Sequence, residues 1–395
     1  MEDQLQEFFC DLHIHIGQAE KGEPVKITAS RSLNFVNIAR EAVTKKGLNL
    51  VGIIDCASPP VIRDIEKALK TGEMTELKKG GIGYKSLVII PGAEVESREK
   101  NGGQAHYLAY FPSLENIKQF SQIMDQYITN INLSSQVTGL TGADILKIVD
   151  ALEGILIPAH AFTPHKSFYG SCAASYREVF TDKEWAKIPA IELGLSADSF
   201  LAGRFGELSD KTFLSNSDAH SLPKIAREYN RIRMKELNFE EFSAALWQEA
   251  GRGVSENFGL DPRLGKYHRS FCPDCEFSSC GQKAVLICPE CENEKLITGV
   301  LDRVLAITGD VHTEQEISPP YTHQVPLLDI PGIGPKTLTR LIDEFGSEMA
   351  VLHEAEEARL EKVAGRKLAE KIIRAREGDS KIKPGGGGRY GQVVG

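Results

Sequence analysis

Along the first two thirds of the chain, short apolar runs alternate with segments whose apolar residues recur at helical spacing, the pattern of strands joined by helices. Strand-like runs fall at residues 9–16, 48–55, 87–95, 105–111, 154–159, 190–193 and 212–217. Between the first two, Phe35, Ile38, Ala39 and Ala42 recur at i, i+3, i+4 and i+7, and Gly47 is placed to end that helix. Segments 61–69, 114–128, 142–152 and 239–250 carry the same spacing. An α/β unit of seven strands, parallel and linked by crossover helices, is expected over residues 1–262.

The polar residues fall in a consistent place on this pattern. Asp55, Glu94, His160, Glu192, Asp218 and His220 each sit at or just past the end of an apolar run. In a barrel or open parallel sheet, those ends form the rim where loops converge and ligands bind. Near the N-terminus, Asp11-Leu12-His13-Ile14-His15 puts two imidazoles two residues apart, so a strand turns both to one face while Leu12 and Ile14 pack behind.

Together, His13, His15, Asp55, Glu94, His106, His160, Asp218 and His220 offer five imidazoles and three carboxylates. This mixture suits two or three divalent ions of the Zn, Mn or Fe type, with Glu94 or Asp218 placed to bridge; Zn2+ is the first candidate and Mg2+ or Mn2+ the alternative. His13, His15, Glu94 and Asp218 are expected to carry catalysis. Closely spaced ions acidify water towards a pKa of about 7 and clamp the attacking and leaving oxygens of a phosphoester, so the chemistry implied is hydrolysis.

These motifs resemble those of the polymerase-and-histidinol-phosphatase (PHP) family, whose members open on an Asp-x-His-x-His strand and close on an Asp-x-His. Here Gly92-Ala93-Glu94-Val95, Ala105-His106-Tyr107 and Pro158-Ala159-His160 look like the family's intervening motifs. Over roughly the first 225 residues the resemblance implies a distorted seven-stranded (β/α) barrel with a trinuclear metal centre. Cys56 departs from it, standing where many members place a histidine, and is either a donor to the third ion or not a ligand. Glu192 and His165 are read as outer groups that orient ligands, or as the proton donor to the leaving oxygen, and Asp11 as a residue orienting a ligand.

Five of the eight cysteines crowd between Cys272 and Cys291, a clustering that suits a metal in a reducing compartment better than disulfides. Cys272-Pro-Asp-Cys275 and Cys288-Pro-Glu-Cys291 form a tetrathiolate pattern for structural Zn2+, expected as a small β-ribbon over 263–300 joined through 283–287. Cys280 is a spare thiol or a replacement ligand. A linker is expected over 301–322.

Residues 327–338, Leu-Leu-Asp-Ile-Pro-Gly-Ile-Gly-Pro-Lys-Thr-Leu, resemble the helix-hairpin-helix motif of DNA repair proteins, with a second, degenerate copy near Val363-Ala364-Gly365. An all-α DNA-binding domain is expected over 323–378, in which Gly332, Gly334, Lys336 and Thr337 hold a phosphate at a helix N-terminus. Charge changes the picture only here. The whole chain carries 46 Lys+Arg against 55 Asp+Glu, which excludes a uniformly basic coat, whereas Arg359 to Arg389 holds ten Lys and Arg against four Asp and Glu. The glycine-rich stretch 379–395 reads as a flexible tail.

An acidic start and the lack of any run long enough to span a bilayer predict a soluble, cytoplasmic protein with no membrane partner and a monomeric state. The order of parts resembles the endonuclease Q family of repair nucleases. That implies a metal-dependent DNA repair endonuclease cutting double- or single-stranded DNA on the 5′ side of deaminated bases (hypoxanthine, uracil, xanthine) and abasic sites, with a sliding clamp as a candidate partner. A damaged base must be exposed to be read. The loop after His160, with Phe168, Tyr169, Gly170 and Ser171, is either a base-pocket wall or ordinary loop packing. The competing readings are a histidinol-phosphatase-like phosphomonoesterase and a non-catalytic DNA-binding module.

Overall fold

Strand Gln6–Ile14 begins exposed and is fully buried from Cys10 onward, because it enters the middle of a sheet. In the computed structural model, which describes residues 4–281, 283–309 and 319–394, it pairs in parallel with Leu50–Ile53 and antiparallel with Tyr229–Met234. The ladder continues from Leu50–Ile53 in parallel to Leu87–Glu96, then antiparallel through His106–Tyr110 to Ile155–Pro158. Ala190–Glu192 and Thr212–Leu214 form a separate parallel pair.

All seven expected segments are strands, but the sheet is mixed rather than parallel. Nine residues, 97–105, separate Leu87–Glu96 from His106–Tyr110, and a parallel crossover needs a dozen or more. Those two strands had to pair as neighbours running in opposite directions. Tyr229–Met234, Gly253–Gly259 and Tyr321–His323 extend the sheet beyond the first strand, and Ile82–Tyr84 and Thr75–Glu76 extend it beyond Leu87–Glu96.

Burial on both faces explains why the strands read as continuous apolar runs. One face gathers Cys10, Leu12, Leu50, Ile90, Leu108 and Ile157 into a single apolar cluster. The other sets Val51, Ile53, Ile89 and Ala109 against helices Phe35–Glu41, Pro59–Lys70, Leu114–Met124 and Gly142–Ala151. Gly47 ends the first of these regions in the left-handed conformation (φ 78°), after a π turn over Ala42–Lys46.

After Gly259 the chain leaves the sheet, passes through the cysteine-rich segment, and returns as strand Tyr321–His323, parallel to and beside Gly253–Gly259. The segment expected as a linker opens on helix Val300–Thr308 and ends in that strand; residues 310–318 of it lie outside the described residues. Buried Asp302 on the helix accepts from the Arg269 guanidinium, the Ser270 and Val285 N–H groups and the Ser279 hydroxyl. It therefore anchors the cysteine-rich segment.

Helices Pro335–Phe345, Glu348–His353, Glu357–Ala364 and Arg366–Arg376 follow. They are docked onto the sheet unit. Lys46 Nζ lies 2.8 Å from Glu348 Oε1 with both side chains buried, and a Cβ on Gly47 would collide with Ser347. His353 stacks on Phe9 at 4.6 Å, pairs with the Tyr229 hydroxyl at 2.6 Å and accepts from Arg231 at 3.2 Å.

The glycine-rich tail is not a free linker. Ile382–Lys383 and Gln392–Val393 pair as a hairpin, and the Gly385, Gly388 and Gly391 N–H groups donate to the carbonyls of Arg263, Lys266 and Leu264. A Cβ at Gly391 would meet Lys383 O at 2.5 Å, so glycine serves close backbone approach here. No helix among the described residues is long and apolar enough to cross a membrane.

Candidate metal centre

The strand ends bring the predicted donors together. His13 and His15 point the same way, with their Nε2 atoms 3.3 Å apart. Glu94 Oε1 lies 3.7 Å from His13 Nε2, 2.9 Å from His106 Nδ1 and 3.4 Å from His160 Nε2. Asp218 Oδ1 lies 3.6 Å from His13 Nε2 and 3.3 Å from His15 Nε2, and the His220 ring stands 4.5 Å from that of His15.

Three triads result: His13, His15 and Glu94; His15, Asp218 and His220; Glu94, His106 and His160. In each, the donor atoms lie within 4.8 Å of one another. They share His15 and Glu94, so three adjoining sites arise from seven residues. The nitrogen and oxygen donors fit divalent ions of the zinc or manganese type.

The backbone is bent to make this arrangement. His160 (φ 29°) and Asp218 (φ 45°) occupy the left-handed region that non-glycine residues avoid, as happens where a site over-determines the chain. Asp11, fully buried, accepts from the Ser217 and Ala226 N–H groups and so anchors the Asp218 loop instead of reaching the donors.

Behind the triads stands a second layer that fixes ring orientation. Both Glu192 oxygens lie within 3.0 Å of His13 Nδ1, which leaves Nε2 facing the cluster; Glu192 also accepts from the His160 N–H and from Asn216. Asp55 does the same for His15, with Oδ2 3.1 Å from Nδ1 and 2.7 Å from the Ile16 N–H. Asp55, expected as a ligand, is thus placed outside all three triads. Cys56 donates to the Ile53 carbonyl, burial pushes its thiol up, and it joins no triad. His165 packs edge-on against Tyr267, joins no triad and lines the cavity beside the donors.

The electrostatics follow from the crowding. Burial opposes charge on His13, but the carboxylates of Glu192, Asp218 and Glu94 outweigh it and raise the imidazole to about 10. His106 rises to about 9 despite burial, through Glu94 and Glu96. Glu94 is held well below the usual carboxylate range against its own burial by His106 and Lys26. Ions bound at the triads would compete with protons for these imidazoles.

Sequence reasoning missed Lys26, whose ammonium donates to Glu94 Oε2 at 2.9 Å, and Ser134 and Ser135, whose hydroxyls donate to Asp55 and Glu94. They come from loops without periodicity. Glu96, which accepts from His106 and Lys166, carried a signal: it lies two residues beyond Glu94 on one strand.

The four thiols of Cys272, Cys275, Cys288 and Cys291 also meet, with Sγ pairs at 3.6 Å and 3.5 Å. A tetrahedral zinc with Zn–S of about 2.3 Å requires S–S edges of about 3.8 Å, so the cluster is closed to the right size. Each knuckle turns on a left-handed residue just past its second cysteine, Glu276 (φ 60°) and Glu292 (φ 57°). The expected β-ribbon is reduced to isolated bridges, Phe271 with Ser278 and Ile297, because Asp302 and the thiols organise the segment instead. Cys280 lies outside the cluster.

In the helical part, Gly332 adopts φ 107° and Gly334 begins helix Pro335–Phe345, leaving Gly332, Gly334 and Lys336 exposed and Thr337 half-buried beside the first-turn N–H groups. Gly365 (φ 83°) repeats the device before helix Arg366–Arg376. The base-pocket expectation needs correction for its two aromatics. Phe168 and Tyr169 are fully buried, packed on Phe180, Trp185, Phe162 and Phe205, because the loop has its own apolar core; Gly170 is half-buried and Ser171 exposed. A cavity of about 470 Å3 opens beside His160, Asp218 and His220; Thr163, Pro164 and His165 of the same loop line it, as do Lys266, Tyr267 and Tyr390.

Residues 325–377 match the family model of the SAM-like helix-hairpin-helix tandem. The chain is 42% identical to the Bacillus subtilis protein YqxK over 98% of its own length and 100% of that protein. Its fold matches the crystal structure of the lesion-specific endonuclease PfuEndoQ from Pyrococcus furiosus with a TM-score of 0.82 and 32% identity, covering 98% of this chain and 95% of that one. A structure of endonuclease Q with a 27-mer duplex carrying an abasic lesion at the active site matches at 0.81 and 32% identity, over 98% and 96% of the two chains.

Proposed function

Since this chain belongs to the endonuclease Q family, we propose that it is a metal-dependent DNA repair endonuclease that hydrolyses the phosphodiester 5′ to hypoxanthine, uracil, xanthine and abasic sites. The observation that carries the reading is the set of three adjoining triads opening on a cavity at the strand ends. In this reading residues 1–262 form the catalytic domain, built on the mixed sheet, with a zinc-binding part over 263–300 and the DNA-binding helices over 323–378. Zn2+ is structural at the thiols, and Zn2+, Mn2+ or Mg2+ serves at the triads.

His13, His15, Glu94, His106, His160, Asp218 and His220 hold the catalytic ions. Bound ions supply Lewis-acid neutralisation of the phosphodiester and acidify water. The protein's own part is placement: Glu192 and Asp55 present the Nε2 faces of His13 and His15, and Lys26 holds Glu94 ionised. Gly332, Gly334, Lys336 and Thr337, with the Gly365 turn and Arg366, grip the DNA backbone without reading sequence.

The test is cleavage of labelled duplexes bearing uracil, hypoxanthine, an abasic site or no lesion, with Zn2+, Mn2+ and Mg2+ supplied in turn. Cutting is expected 5′ to the lesion in the damaged duplexes alone. Cutting of the undamaged duplex at an equal rate overturns the reading.

A further inference from the structure

Two aromatic rings face the cavity beside the triads from segments far apart in sequence. Tyr267 lies just before the cysteine-rich segment and Tyr390 in the C-terminal hairpin, and Lys266 stands between them, 4.9 Å and 5.6 Å from the two ring centroids. His160, Asp218 and His220 line the same cavity. The volume of about 470 Å3 falls in the range of sites that enclose a small organic ligand.

The hairpin that presents Tyr390 is built to stay there. Its glycine N–H groups bond to residues 263–266, and a Cβ at Gly387 would press within 3.0 Å of the Phe271 ring. Tyr390 also borders a second cavity, of about 420 Å3, shared with Arg227, Asp329 and Val393. Yet its ring remains 51% exposed, unlike the fully buried Phe168 and Tyr169. A large ring held on a fixed hairpin at the mouth of a site, and left uncovered, is available to a flat ligand.

We propose that the C-terminal hairpin is part of the active site, with Tyr390 as the stacking wall for the extruded nucleobase and Lys266 as the cation at its edge. This rests on the lesion-cutting function proposed above. It moves the stacking surface from Phe168 and Tyr169, which are buried, to the C-terminal hairpin. A π face accepts any base, so Tyr390 contributes holding strength, and selectivity among bases falls to other groups.

The abasic site supplies the control, because it has no base to stack. Tyr390→Ala is expected to lower kcat/KM roughly tenfold to hundredfold on uracil and hypoxanthine duplexes, to leave abasic cutting nearly unchanged, and to be rescued by Tyr390→Phe. In a non-cutting His13→Ala/His15→Ala background, the same change is expected to weaken the fluorescence rise of 2-aminopurine placed opposite uracil. An equal fall on abasic and base-bearing lesions, or no fall on either, overturns the inference. Failure of the unaltered chain to cut any lesion is a separate result: it defeats the function on which the inference rests.

Discussion

The imidazole and carboxylate donors come from strand ends as distant as His13 and His220, whereas the four thiols lie within twenty consecutive residues. The first cluster exists only when the sheet has folded, and it is braced by Glu192, Asp55, Lys26 and two serines. The second is made by two local turns and one helix that contributes Asp302. One cluster is open to a cavity on one side; the other closes on itself with no position for a substrate. A centre that must bind and release a ligand needs a prebuilt, strained frame, whereas an ion that only holds chain together can build its own site.

Loss of both first-strand histidines should separate the two clusters most sharply. His13→Ala/His15→Ala is expected to reduce cutting by more than about a thousandfold while the zinc held by the thiols stays bound, as read by metal content. The opposite change, Cys275→Ser with Cys288→Ser, is expected to remove that zinc and open residues 266–299 to protease, with a partial loss of cutting. If the thiol variant abolished cutting while leaving the protease pattern intact, the contrast between the clusters would collapse.

A smaller effect is expected one layer out. Glu192→Gln keeps the shape but weakens the partner that orients His13, and should cost roughly 10- to 100-fold in activity or ion affinity. The smallest effect concerns a buried carboxyl with no cationic cluster to hold it. Burial raises Glu228 to about 8, and its one side-chain bond is to the Leu260 N–H. From its ordinary value of 4.5 up to about 8, the unfolded chain loses a proton that the folded chain keeps, so stability falls as pH rises through that window. Glu228→Gln should raise the Tm at pH 8 and leave it unchanged near pH 5.

Much of the catalytic side was legible because its signals are local. An i, i+2 pair on a strand, acids and histidines at the ends of apolar runs, and two Cys-x-x-Cys knuckles all survive in one dimension. Two of the extra strands were not legible for a definable reason. Tyr229–Met234 carries Arg231 and Arg233 on its outer side and Gly253–Gly259 is mostly polar, so neither presents an apolar run. That Asp55 stands behind His15 was not legible, because proximity to a cluster does not reveal which atom already has a partner. The tail was misread because glycine permits both disorder and close packing, and only the neighbouring backbone at 263–266 distinguishes them.

The return of the chain at Tyr321, beside the strand it left at Gly259, has one more consequence. Everything between those residues is an excursion whose two ends are pinned one strand spacing apart, about 4.8 Å. Residues 263–267 and helix Val300–Thr308 within it are held by the hairpin, the cavity wall and the loop after His160, whereas residues added at the exposed turns between the two knuckles would leave the strand pairing unchanged. The span from the triads to the helices that follow is therefore set by the sheet, while the exposed turns between the knuckles can vary in size.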